Sequence, residues 1–280
     1  MSLITPDVVA RGIRKLPSLP LIITELLLTM DRDDINSQDL SDKISGDQAL
    51  AAKTLRLANS SFYGMSSRVA SVQQAVAILG FSSVRSLVMA ASITTSFDKS
   101  AADGFDFAGF WRHAIATGVC ANQLAPALRV VPETAFLAGL LHDIGQLVMA
   151  TQFPLQYAEV TAYSQRNDCS VQDAERAMQL PDHPLVGQAL AAHWQFPEAI
   201  QLAIAYHHDN ERAAQTPLAA VVHLGNVFAH ALDVSGSADE CIPAVSTQAW
   251  QLLSLDADAI ERKLPQMEEE YRSLSQILTL

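Results

Sequence analysis

The stretch Leu140-Leu141-His142-Asp143-Ile144-Gly145 decides how the rest of this chain is read. It sets an imidazole and a carboxylate side by side in an apolar run from Ala135 to Ala150, within a segment whose spacing predicts one helix over about 133–150. Burying a carboxylate there is costly unless it is paired, hydrogen-bonded or bound to a cation. Neighbouring helix positions diverge by about 100°, so the two side chains can converge on an ion only in the wedge between them. The helix therefore needs polar neighbours from elsewhere. They build a metal site, a catalytic site or a satisfied polar core, and the stretch alone leaves all three open.

Working outward, the pattern is helical throughout. Leu16-Pro17-Ser18-Leu19-Pro20 breaks a first short helix that opens after Thr5-Pro6. Helices are then expected from about Leu21 to Met30, from a cap at Ser37, from Gln48 to Ala58 behind a cap at Asp47, from a cap at Ser71 to Gly80, and from Ser82 to about Ser92. Asp31 to Asn36 reads as a loop, and residues 99–105 read as the best internal linker. Beyond it, helices are expected at about 107–127, 154–166, 170–178, 183–194, 197–208, 216–233, 247–253 and 256–278, with Pro265 kinking or splitting the last. No period-2 strand pattern stands out. The expectation is an all-α multi-helix bundle: an N-terminal helical subdomain over 1–98, a second helical subdomain over 106–235 and a C-terminal helical extension over 240–280.

Composition narrows the function. The 280 residues carry a net charge of −12 and no basic run, which argues against nucleic-acid binding. Cys120, Cys169 and Cys241 are scattered and odd in number, so no disulfide framework or Cys-x-x-Cys zinc motif is expected. The most apolar runs are interrupted by Glu25, Arg85 or the His142-Asp143 pair, and the N-terminus lacks a secretory pattern. The expectation is a cytoplasmic protein that does not enter a membrane. Gly-rich phosphate loops, a Gly-x-Ser-x-Gly elbow and a cysteine placed beside a histidine are all missing.

All eight histidines fall between His113 and His230, so the polar chemistry sits in the second half. The candidates are His113, His142, Asp143, His183, His207, His208 and Asn226. Imidazole and carboxylate are the usual ligands of divalent first-row metals, and helices can gather them regardless of sequence separation. Glu175 is either a surface charge or a bond to an exposed amide end. His193, His223 and His230 read as surface or hydrogen-bonded core residues.

The second half resembles the HD superfamily, metal-dependent phosphohydrolases named for their His-Asp pair. Residues from about 10 to 235 resemble, more specifically, the HDOD domain, a bacterial regulatory relative. The resemblance rests on Leu16-Pro17-Ser18-Leu19-Pro20, on Asp47 through Asn59-Ser60-Ser61-Phe62-Tyr63, and on Ser71 through Ala75 to Leu79-Gly80. It continues through Trp111-x-His113, Gly139 to Gly145, Glu175, His183-x-x-x-Gly187, Trp194-x-x-Pro197 and His207-His208. It implies an all-helical fold and a role in signalling through protein partners. Metal ligands are implied at His113, His142 and Asp143, with His183, His207 and His208 adding those of a two-metal centre, and Glu175 in support behind them. The same resemblance leaves two alternatives, a divalent ion (iron, manganese, zinc or magnesium) or a metal-free pocket, and it allows a nucleotide ligand.

Three departures weigh against turnover. Asn226 stands where the HD pattern ends in an aspartate ligand, and a neutral amide supplies no charge. Gln146 replaces the lysine that HD-GYP phosphodiesterases carry, removing a cation suited to a phosphoryl transition state. Asp209-Asn210-Glu211-Arg212 stands where their Gly-Tyr-Pro motif would follow. The expected function is thus a regulatory module with a degenerate HD pocket and little or no catalysis. The alternative is a metal-dependent phosphodiesterase acting on a nucleotide or cyclic dinucleotide.

Overall fold

The structure, a computed structural model, describes residues 4–278 except 17, 29, 31–36, 65–67, 95–96, 98–101, 103, 234–241 and 255. The expected loop at 31–36, most of the linker at 99–105 and Cys241 lie outside the described residues. Sixteen α-helices and no strand occur among the described residues. The first six are α1 (Pro6–Ile13), α2 (Leu21–Leu27), α3 (Ser37–Gly46), α4 (Gln48–Ala58), α5 (Val72–Leu79) and α6 (Phe81–Ile93). Then follow α7 (Phe107–Leu124), α8 (Pro132–Leu141), α9 (Ile144–Gln152), α10 (Pro154–Asn167) and α11 (Val171–Ala177). The last five are α12 (His183–His193), α13 (Glu198–Tyr206), α14 (Pro217–Ala231), α15 (Thr247–Leu253) and α16 (Ala257–Leu278).

The starts of these helices follow local chemistry. Asp47 accepts the Leu50 amide at 3.0 Å and Ser71 the Gln74 amide at 3.1 Å, as the sequence predicts. Proline opens α8, α10 and α14, where its missing N–H costs nothing. Gly80 joins α5 to α6 at φ 84°, a conformation that a side chain would strain.

Helix α7 is the hub, packed against α8, α14 and α16, while α12 packs against α9 and α13. Glycines bring these backbones very close. A Cβ on Gly139 would lie 2.8 Å from the Gly118 Cα, and one on Gly145 would lie 2.7 Å from the Gly187 amide nitrogen. The first contact seats α8 on α7 and the second seats α9 on α12, the four helices that flank the His-Asp pair.

Two expectations are corrected. The single helix over 133–150 is two helices, α8 and α9, broken at His142–Asp143, where Asp143 sits at φ −97°, ψ 10°. At the break, His142 Nε2 and Asp143 Oδ2 come within 3.3 Å of each other. Conversely, Pro265 does not split α16, which runs unbroken from Ala257 to Leu278. An interior proline costs about 3 kcal/mol. Burying Ile260, Met267, Tyr271, Leu274 and Leu278 along one side recovers more than that, at roughly 1.5–3 kcal/mol for each aliphatic side chain.

The run Pro132–Gln152 has the length and hydropathy to cross a membrane, but 83% of its apolar 18-residue window is buried inside the protein. It is the core helix pair that carries the His-Asp motif.

Candidate metal centre

The chain break places the Asp143 carboxylate between two groups of imidazoles. On one side, Asp143 Oδ2 lies 3.3 Å from His142 Nε2 and 3.8 Å from His113 Nε2. On the other, Asp143 Oδ1 lies 3.2 Å from His183 Nε2 and 3.3 Å from His207 Nε2. His208 joins the second group, its ring centroid 5.2 Å from that of His183. All six residues named from the sequence as ligands therefore meet, in two clusters sharing one aspartate.

The outer nitrogens settle which way the lone pairs point. His142 Nδ1 faces the Gly139 carbonyl at 2.7 Å, and His207 Nδ1 faces the Ile204 carbonyl at 2.6 Å. His183 Nδ1 faces Glu175 Oε2 at 2.9 Å. A carbonyl or carboxylate oxygen can only accept, so each Nδ1 donates; the neutral rings of His142 and His207 then turn an Nε2 lone pair inward, while His183, backed by Glu175, keeps a proton on Nε2. The lone pairs of His142 and His207 therefore face the Asp143 carboxylate as acceptor against acceptor. Asp143 Oδ1, His183 Nε2 and His207 Nε2 are buried and none completes a well-formed hydrogen bond, although they lie so close together. Leaving such atoms unpaired costs roughly 1–3 kcal/mol each. A divalent cation removes the penalty, and its ligands need this kind of support behind them. The residues present fit a metal.

Electrostatics agree. Burial alone would push the Asp143 carboxyl up, yet the His142 imidazole, with His183 and His207 beside it, holds it well below the usual carboxylate range. Burial holds His207 down to about 4 and keeps His208 well below the ordinary histidine value. Burial, with His230 and His142 alongside, does the same for His113. His183 goes the other way. Burial would lower it, but Glu175 and Asp143 raise it to about 10. Without a cation, His183 thus carries the positive charge of the cluster; a metal on Nε2 must displace its proton. Metal affinity of this cluster is expected to rise about tenfold per pH unit between pH 6 and 9, with one proton released per ion. Titrating metal in buffers of different ionisation enthalpy reads that proton directly, and a pH-independent affinity would contradict it.

Glu175 is only 1% exposed, so it is no surface charge. It accepts both His183 Nδ1 and the His183 backbone N–H, each at 2.9 Å, joining an exposed amide end to a support role. Asn226 is buried on α14 next to His113, and neither its oxygen nor its nitrogen completes a hydrogen bond. Gln146 accepts the Tyr157 hydroxyl at 2.9 Å.

The centre opens into a cavity of about 700 Å³. Asp143, His113, His183 and His208 face it, with Gln146, Tyr157, Phe105 and Phe110 on the wall. Arg176 is the one lysine or arginine on that wall among the described residues, and its Nε lies 2.9 Å from Asp182.

Two residues escaped sequence reasoning. Tyr157 has no local signal; only packing of α10 on α9 brings it to Gln146. His230 read as a bland residue, yet its ring lies 4.3 Å from that of His113 and it faces the cavity. The signal was present: His230 follows Asn226 by four positions, one helical turn on the same face. His223 reads as a hydrogen-bonded core residue and is one, donating from Nδ1 to the His207 carbonyl at 2.8 Å. His193 is exposed.

Comparison with known proteins finds the same helical fold in solved structures. An HDOD domain protein of unknown function from Geobacter sulfurreducens superposes with a TM-score of 0.83 at 21% identity, over 98% of this chain and 99% of the other. A protein from Shewanella amazonensis SB2B, provisionally named a phosphohydrolase, gives 0.78 at 27% identity over 96% and 97%. An uncharacterized protein of Treponema pallidum (strain Nichols) is 27% identical over 232 residues, which is 80% of this chain and 44% of that relative. The chain thus spans less than half the length of that relative. Residues 16–210 match the HDOD domain, and the chain belongs to the HDOD family.

Proposed function

We propose that this chain is a bacterial signal-transduction module in which the buried centre binds a divalent metal and the cavity senses a ligand, with little or no turnover. One observation carries the reading: among the described residues, no lysine or arginine other than Arg176 lines the cavity. The wall offers Gln146, held by Tyr157, and Arg176, committed to Asp182. A phosphoryl transition state needs positive charge beyond that of a metal, aimed at the leaving group and non-bridging oxygens. A protein partner that reads the state of the module completes the proposal.

The second reading is a metal-dependent phosphohydrolase. Two ligand clusters sharing Asp143 favour it, as does the name of the Shewanella relative. A metal pair would supply Lewis-acid charge stabilisation at phosphorus.

Metal content after loading with manganese or ferrous iron, followed by a phosphodiester cleavage assay, decides between them. The expected result is bound metal with no cleavage above that of His142→Ala. Brisk cleavage that disappears in His142→Ala would establish the enzyme instead.

Asn226 supplies a graded test. Asn226→Asp places a charge beside His113 and is expected to tighten manganese binding on the order of tenfold. An unchanged affinity would show that position 226 does not face the ion.

A further inference from the structure

The turn after α13 and the segment before α15 are joined by two hydrogen bonds through one histidine and by a third made directly by Ser246. His223 Nδ1 donates to the His207 carbonyl at 2.8 Å. The Ser246 backbone N–H donates to His223 Nε2 at 2.9 Å. Ser246 Oγ donates to the Asn210 carbonyl at 2.6 Å and accepts the Ala249 amide at 3.3 Å, capping α15. The tautomer of His223 is fixed by these partners, a carbonyl on one side and an N–H on the other. His223 is 1% exposed and lies at the wall of the same cavity.

The segment held in this way is also part of the site. Ile242, Pro243 and Ala244 line the same cavity as Asp143 and His183. The turn that accepts from His223 and Ser246 begins at His207, a ligand candidate, and runs to Asn210, another cavity residue. Yet residues 242–253 lie beyond the HDOD match, which ends at 210.

We infer that residues 242–246, with α15 behind them, form a wall of the metal cavity whose seating is coupled to the ligand His207 through His223. The inference rests on metal binding as proposed above, and it assigns the C-terminal segment a role in regulating that site. A cation that draws His207 Nε2 inward also shifts the His207 carbonyl, and the shift passes through His223 to the Ser246 amide. Coupling of this kind is reciprocal: metal tightens the seating of the segment, and the seated segment tightens metal binding by the same factor.

The test uses manganese alone, the full chain and amide hydrogen exchange. In the wild type, saturating manganese is expected to slow exchange across 246–253 several-fold. Ser246→Ala keeps the backbone N–H and is expected to retain that response. Ser246→Pro removes the N–H at a residue whose φ of −65° suits proline. It is expected to bind manganese several-fold more weakly than Ser246→Ala and to lose the response. His223→Phe, which keeps a ring without either nitrogen, serves as a second uncoupled variant should the proline variant not fold. Manganese bound by the wild type with no change in exchange at 246–253 overturns the coupling and leaves the proposed function standing. A full response in Ser246→Pro or His223→Phe overturns the route through His223. A wild type that takes up no manganese overturns both readings.

Discussion

Replacing Asp143 with asparagine is expected to empty both halves of the centre at once. Among the described residues, this carboxylate is the one acid shared by the two clusters: Oδ2 faces His142 and His113, and Oδ1 faces His183 and His207. An amide keeps the shape but loses the charge, and its NH2 group turns a donor toward one pair of imidazoles. Removing a supporting partner behind a metal ligand typically costs about 10–100-fold in affinity. Losing the one shared ligand is expected to exceed the top of that range for both ions together. The metal-free protein is also expected to weaken, by about 3 kcal/mol, because the raised His183 is left buried with Glu175 as its one acidic partner. Metal stoichiometry and thermal unfolding of the metal-free protein check the two halves separately. Loss of one ion with retention of the other would show that the clusters do not share Asp143 functionally.

Gly145→Ala is the second large effect, and it acts through packing rather than charge. A Cβ at this position would fall 2.0 Å from the His183 carbonyl oxygen and 2.7 Å from the Gly187 amide nitrogen. Both are backbone atoms, so neither can swing aside, and α9 must move off α12. Overpacking a tight core costs typically 1–3 kcal/mol and occasionally more; contact with rigid backbone puts this case at about 3 kcal/mol or above. The displacement also separates Asp143 from His183, so metal binding is expected to fall together with stability. Gly46→Ala is the control, since a Cβ there meets nothing within 4 Å. Equal melting temperatures for the two variants would refute the argument.

The helical content was legible because it is local. Caps at Asp47 and Ser71, and the prolines that open several helices, act within a few residues, and the structure places those starts as the sequence reads. The apolar face of α16 was legible for the same reason, whereas its continuity through Pro265 was not. That outcome depends on buried area supplied by helices far away in sequence. The break between α8 and α9 was equally hidden. Periodicity predicts a helix through His142 and Asp143, whereas the structure breaks it there, with Asp143 at φ −97°, ψ 10°.

The sequence by itself determined the chemistry available: five imidazoles and one carboxylate in the second half, with a neutral Asn226 and Gln146 where charge would serve a hydrolase. Residue type fixes donor capacity and charge, and no fold can add to either. Tertiary structure alone decided that Asp143 is shared, that His142 and His207 turn their Nε2 lone pairs inward, and that Tyr157, His223 and His230 belong to the same neighbourhood. Those outcomes depend on distances of a few ångströms between helices separated by tens of residues. Close glycine contacts set such distances, and they leave no periodic trace in the chain.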